Sequence, residues 1–420
     1  MKTLLAAAIL LPVAAHAGGY AVPNTNARDL SLAGSAIAGQ QDATAAYVNP
    51  AALAGLEGLS IVANGTIIDF RSAWTSPAGA PSGHVDMIRK GAFPPAVFAS
   101  YGGKSGETGW GVGAGFNVPF GGNVYWPGNW PGNQSILTVN RRGYGMYLTG
   151  GVQPLKEVKV GGGLIYYRTT EDLSLARNFL VEQGQAEIGT AGGKLTWQAS
   201  IELTPFADVP FTLGFDYKHK ADQVLTGTAH FSNVPGALLP NALDQRATHD
   251  LTIPNLFNVG AAYRVIPNLL VTAAFTLERF IVYKRDVFAG DLGTTVLVNH
   301  DFTNGHTFRL GAEYTDVIPK LTLRAGVLRD IAPSRPSTFH PAIPDSDVTA
   351  ATIGIGYSFT RDLELNATYF HAFYDALTTT ADAAFPGTYD TRANIATVGI
   401  VWHMGEQPRG NSAALARTVR

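Results

Sequence analysis

Among the side chains able to do chemistry, a few charged residues on alternating segments stand out. In 308-FRLGAEYT-315, Phe308, Leu310, Ala312 and Tyr314 alternate with Arg309, Gly311, Glu313 and Thr315. In 321-LTLRAGV-327, Leu321, Leu323, Ala325 and Val327 oppose Thr322, Arg324 and Gly326. Residues at i and i+2 share one face of a strand. Arg309, Arg324 and Glu313 therefore sit on polar faces, where they can pair with each other or hold an anionic group. Familiar catalytic signatures are missing: there is no GxSxG, no HExxH and no phosphate loop ending in Lys-Ser or Lys-Thr. The glycines of 109-GWGVGAG-115 lie on a strand with no helix after it, so dinucleotide binding is not expected. Asp345 and Asp347 in 344-PDSD-347 are thin support for a calcium loop. The histidines are scattered, and the absence of cysteine removes disulfides and thiolate metal sites. No metal or cofactor is expected, and the chain is not read as an enzyme. A net charge of −2 without a basic stripe argues against nucleic acid.

The elements that must position these residues follow from the pattern. Lys2, the apolar run from Leu4 to Val13 and the small-x-small Ala15-His16-Ala17 read as a secretory signal peptide over 1–17. The mature chain is then expected to start at Gly18. No later run of some 18 apolar residues supplies a helical span. Gly18 to Gly58 is rich in Ala, Gly and Asn, with weak periodicity; Asn49-Pro50 can close a short helix there. By composition, this segment is either a plug packed inside a larger body or a linker.

From Leu59 onward the period is two. In 351-ATIGIGYSF-359, Ile353, Ile355, Tyr357 and Phe359 share one face; in 211-FTLGFDYK-218, Phe211, Leu213, Phe215 and Tyr217 oppose Thr212, Gly214, Asp216 and Lys218. Fourteen strands are read: 59–70, 92–101, 109–117, 142–153, 158–168, 193–204, 211–230, 249–264, 269–284, 306–316, 320–330, 349–360, 362–373 and 392–404. Long gaps alternate with short ones, and several short gaps carry turn residues such as Gly102-Gly103, Pro205 and Pro319. That rhythm suits an all-β, transmembrane antiparallel barrel with long loops outside and tight turns in the periplasm. In hydrocarbon every backbone polar group must be paired, and a closed sheet achieves this by having no edge. Fourteen tilted strands enclose a wide interior, which favours the plug reading of 18–58. Residues 405–420 form an expected periplasmic tail.

Two local features bear on function. The strand 109-GWGVGAGFNVPFGG-122 runs through Gly113, Gly115 and Asn117 into Pro119, which lacks a ladder N–H. A kink there opens a side gap in the wall, or simply ends the strand before a loop. Trp126 and Trp130, in 125-YWPGNWPG-132, are candidates for an apolar capture surface on an outer loop.

These residues, in their order and spacing, resemble the FadL/TodX family of outer-membrane transporters for long-chain fatty acids and hydrophobic compounds. The resemblance is carried by Gly19-Tyr20, by 33-AGSAIAGQQDATAAYVNPAAL-53 with Asp42-Ala43-Thr44 and Asn49-Pro50-Ala51, by 109-GWGVGAGFNVPFG-121, by 308-FRLGAEY-314, by 323-LRAGVLRDIAPSRPSTFHPAIPDSD-347 and by 354-GIGYSF-359. It implies a fourteen-stranded barrel plugged by an N-terminal hatch. It also implies passive uptake: capture among outer loops, transfer to an internal pocket, and lateral exit near a kinked third strand. On this resemblance Tyr20 belongs to the pocket, Asp42, Asn49, Pro50 and Ala51 to the hatch, and Gly113 to Pro119 to the opening. Arg168, in 164-LIYYRTT-170, resembles a pocket arginine of the fatty-acid members, and Arg324 offers the same chemistry. The expected partners are a hydrophobic small molecule, outer-membrane lipid and lipopolysaccharide, with the protein a monomer. Fatty acids are favoured over aromatic or alkane hydrocarbons. A general aqueous porin and a surface binding or structural protein are the rival readings. The chain departs from the family in its Gly-Gly-Tyr start and in lacking a terminal aromatic.

Overall fold

The computed structural model describes residues 21–405 except 24, 180–181, 236–242, 294 and 381–382. The expected signal peptide, Tyr20 and the tail beyond Gly405 lie outside the described residues.

Fourteen antiparallel wall strands close on themselves. They are β1 (Gly58–Thr75), β2 (Pro95–Ser105), β3 (Thr108–Tyr125), β4 (Thr138–Leu155), β5 (Val158–Phe179), β6 (Glu182–Leu203), β7 (Phe211–Lys218 continuing as Ala221–Ser232), β8 (Gln245–Ile253 continuing as Leu256–Ile266) and β9 (Leu269–Glu278). The ring is completed by β10 (Gly305–Tyr314), β11 (Leu321–Ile331), β12 (Val348–Ser358), β13 (Leu363–Tyr374) and β14 (Thr388–Met404). Closure is made by β1 against β14, in register from Leu59↔Met404 to Thr75↔Thr388. First and last strands are thereby paired, so the ring has no free end strand.

Every expected strand is present, but several run further than the alternation predicts. The gap read at 169–192 is mostly β5 and β6, paired from Val158↔Leu203 to Phe179↔Glu182. Beyond the lipid band the two faces no longer differ in polarity, so the period-two signal fades while backbone pairing continues. Three strands are also interrupted: β7 at 219–220, β8 at Pro254-Asn255, and β9, which gives way to a 3₁₀ turn at Phe280–Val282. Pro254 has no N–H for the ladder.

The wall is oily side out. Leu148 is 65% exposed and Ile353 64%, and both lie on outward positions that alternate with buried Thr149 and Thr352. A water-soluble sandwich would put those faces the other way round.

Residues 21–57 fill the lumen. They carry helix α1 (Ala27–Ser31), helix α2 (Ala45–Val48) and a 3₁₀ turn at Pro50–Gly55. The plug reading of this segment therefore holds over the linker reading. Asn26 caps α1 by accepting from Asp29 N–H, and Asn49 caps the 3₁₀ turn by accepting from Ala51 N–H. Inward-facing glycines let the hatch backbone lie directly on the wall. A Cβ at Gly111 would collide with the Leu53 carbonyl, at Gly161 with the Pro50–Ala51 peptide, and at Gly354 with Ser31. The glycine richness of the strands thus records the approach of a second layer rather than turns.

Candidate functional site

Hatch and wall are joined by buried polar contacts. Arg28 of α1 donates from Nε to Glu313 Oε2 at 2.8 Å and from Nη2 to Oε1 at 3.0 Å. Arg324 donates to the same Glu313 at 2.7 Å and to Glu364 at 3.1 Å. Arg324 is thus committed to holding the hatch and does not line the internal cavity, contrary to its expected pocket role; two carboxylates already occupy its fork. The hatch residues identified in the sequence converge. Asp42 accepts from Asn26 Nδ2 and from Thr44 N–H, Asn49 Nδ2 donates to the Ile37 carbonyl at 2.8 Å, and Ala51 N–H donates to Ser200 Oγ at 2.8 Å. Pro50 opens the 3₁₀ turn beside them.

Between hatch and wall lies a cavity of about 170 Å³. Its apolar lining includes Val22, Leu30, Ile37, Tyr47, Phe120, Tyr167, Phe280 and Phe370. Its polar lining is Thr25, Asp29, Lys218, Asn258, Thr276, Glu278, Thr307 and Arg309. Lys218 is bound to Asp216 at 2.5 Å and lies 4.7 Å from the centre of the Tyr47 ring. Arg309 packs beside Gly34, a hatch turn at φ +74°, and donates to Thr276 Oγ1 at 2.5 Å. Burial pushes the Asp29 carboxyl above its usual range, against the opposing pull of Thr25, Arg309 and Arg28.

The cavity reaches the third strand where its pairing fails. β2 and β3 are in register from Ser105↔Thr108 to Val97↔Phe116. The β3–β4 register shifts between Asn117 and Phe120, a bulge at the Asn-Val-Pro step. Pro119 and Phe120 line the cavity at that point. Gly113, Gly115 and Asn117 serve packing rather than the rim. Gly113 faces Ala46 and Leu53 of the hatch, Gly115 leaves room for the Phe98 ring, and Asn117 accepts from Tyr147 Oη at 2.9 Å.

Two sequence-based site assignments are corrected. Arg168 is exposed between the buried Tyr167 and Thr169, so its side chain points out of the barrel and away from the cavity. Trp126 and Trp130 are 2% and 1% exposed, not displayed. Their rings stack with centroids 4.5 Å apart, and Trp126 lies edge-on to Tyr389 at 6.3 Å. They form the core of the extracellular cap, because an aromatic pair in a long loop buries itself when two other loops can cover it. Asp345 and Asp347 are engaged by Ser334, and by Arg329 with Ala332 N–H, respectively. No group of metal-ligating side chains occurs among the described residues. Asp29, Lys218 and Glu278 were not picked out as site residues. For Lys218 a signal existed, because it and Asp216 alternate with outward aromatics and so had to point inward.

The family model described as "Outer membrane protein transport protein (OMPP1/FadL/TodX)" matches residues 8–403. No curated protein matches. A solved FadL homologue of Pseudomonas aeruginosa aligns with TM-score 0.82 and 20% identity, over 92% of this chain and 100% of its own. The toluene transporter TodX of P. putida aligns with TM-score 0.74 and 16% identity, over 93% and 100%. The monoaromatic hydrocarbon channel CymD aligns with TM-score 0.68 and 14% identity, over 91% and 98%. At those identities the likeness shows the fold, while the family match spans nearly the whole sequence. A closed wall with its oily face outward, a lumen filled by the chain's own N-terminal segment, and that match together place the protein in the bacterial outer membrane, as a member of the OMPP1/FadL/TodX family of hydrophobic-compound transporters.

Proposed function

We propose that the protein takes up small hydrophobic molecules passively, holds them in the cavity between hatch and wall, and releases them sideways into the membrane between β2 and β3. The observation that carries this route is the end of β2–β3 pairing at Val97↔Phe116, directly beside cavity residues Pro119 and Phe120. Ala21 and Val22 of the N-terminal segment pair across that part of β3, at Phe120 and Pro119. A molecule leaving there never meets an aqueous lumen, and each CH₂ kept out of water contributes about 0.8 kcal/mol. No energy source is required if the cell consumes what enters.

The chain contains no cysteine, so a tether can be placed cleanly. Ala21→Cys with Phe120→Cys joins the bridge pair. Uptake of labelled hydrophobic compounds into cells is expected to fall when the pair is oxidised and to recover with reductant, with each single variant as control. Uptake indifferent to oxidation would rule out this exit.

The fatty-acid reading and the aromatic reading divide over the ligand. Arg168 faces outward and lends the first no support. The cavity, about 170 Å³, is close to the ~150 Å³ known to accept benzene in another protein. Size therefore favours a one-ring or medium-chain molecule. The cations on its lining are Lys218, already paired with Asp216, and Arg309.

A further inference from the structure

The polar side of the cavity is unusual in which groups it leaves without partners. Glu278 ends β9 on the inward register shared with Thr272, Ala274 and Thr276, and is 7% exposed. It lines the cavity, yet its carboxyl has no hydrogen bond or ion pair among the described residues. On the hatch side of the same cavity, Asp29 is 3% exposed. One oxygen of Asp29 accepts from Thr25 at 2.8 Å, while Oδ1 is buried with no partner among the described residues. Of the lining cations Lys218 is paired with Asp216, while Arg309 donates to Thr276 and forms no ion pair with either acid among the described residues.

On this set the two acids offer acceptors that no neighbouring donor fills, beside a guanidinium with N–H groups to spare. A carboxylate ligand would bring a third acidic group next to Asp29 and Glu278. An alkane or plain arene would bury the acceptors with nothing to replace water, and stranding a buried polar group is more costly than never forming its bond. A hydroxyl donates to either acid, accepts from the Arg309 guanidinium, and adds no charge. Resting on the uptake reading above, we infer that this cavity selects hydrophobic molecules carrying one hydroxyl group, with Glu278 as the residue that sets the preference and Asp29 and Arg309 completing the polar end. The rest of the ligand lies against Phe120, Phe280 and Phe370.

The inference is tested with the full chain in lipid nanodiscs, by saturation binding of radiolabelled 1-octanol, octanoate, octylamine and octane, with empty nanodiscs subtracted. Octanol is expected to bind at least about tenfold more tightly than octanoate or octane, the size of one buried hydrogen bond. Glu278→Leu should abolish that margin, whereas Glu278→Gln, which keeps a carbonyl acceptor in the same place, should retain most of it. Both variants are checked for heat-modifiable migration of the folded barrel. Tighter binding of octanoate or octylamine overturns the inference, as does equal saturable binding of all four or an unchanged margin in Glu278→Leu; each of these leaves the uptake reading standing. If no probe binds saturably, the cavity is not a ligand site and both fall together.

Discussion

Val22 donates its backbone N–H to the Pro119 carbonyl at 2.9 Å. A residue near the start of the described chain thereby occupies the place on β3 that β2 vacates. Pro119 cannot donate in return, so the contact is held by fewer bonds than a normal ladder. The neighbouring Ala21↔Phe120 bridge is similarly isolated. The segment is docked at the bulge rather than woven into the wall, as the proposed lateral route requires. Val22→Pro removes the donor, and exchange between docked and undocked states should rise. Faster uptake of a labelled hydrophobic compound at equal surface expression is the expected reading; slower uptake would mean that docking itself is productive.

The hatch should come loose at Glu313. This carboxylate is shared by Arg28 of the hatch and Arg324 of β11, all three side chains being nearly fully buried. Glu313→Ala strands two guanidinium groups, a loss of about 3–5 kcal/mol for a broken buried pair. Bursts of ion conductance in a planar bilayer are expected from the variant, with the barrel itself still heat-modifiable. A silent trace would show that the remaining hatch contacts suffice.

Gly113 faces the hatch, where an added Cβ would sit 2.9 Å from Ala46 Cβ and 3.2 Å from both Leu53 methyl groups. Gly113→Val should therefore displace α2 and increase hatch cleavage by an added protease severalfold. Arg168→Ala, on the outer face, should leave ligand preference unchanged; a selective loss of carboxylate uptake would contradict its placement.

The extracellular cap carries a pH dependence through His340. Burial, helped by His300, lowers this imidazole to about 4. Ala342 N–H donates to His340 Nδ1 at 3.1 Å, a bond that only a neutral ring can accept. The unfolded loop takes up its proton near pH 6.5, whereas the folded loop does so only near pH 4. Stability is thus complete above about 6.5 and is lost as pH falls toward 4. Between pH 8 and pH 5, local opening of 332–347 should rise by on the order of tenfold or more, read by limited proteolysis or hydrogen exchange. His340→Gln should flatten the profile.

Trp126 tests the revised role of the outer tryptophans. Its indole N–H donates to the Pro341 carbonyl at 3.2 Å, tying two loops together. Trp126→Ala should cost the cap about 3–5 kcal/mol and expose the loops to protease. A display role would instead predict an intact cap and weaker capture of ligand.

Much of this architecture is written along the chain. Alternation of apolar and polar residues sets which face of each strand meets lipid, and it does so locally, because side chains two apart always share a face. The rhythm of long and short gaps sets strand number and the side on which each loop lies. The width of a fourteen-stranded ring favoured a plug, and the Asn-Val-Pro step pointed to a break in β3. What one dimension could not carry was pairing across the lumen. Arg309 and Arg324 lie on like faces of adjacent strands, yet one lines the cavity and the other is bound to Glu313 and Glu364. Trp126 looked exposed because its cover comes from residues beyond 330. Glu278 and Asp29 are 249 residues apart (278 − 29) and become one polar site only when the hatch enters the closed wall. Face and count are decided by near neighbours in sequence; partnership is decided by which distant groups the closed ring forces to share one interior.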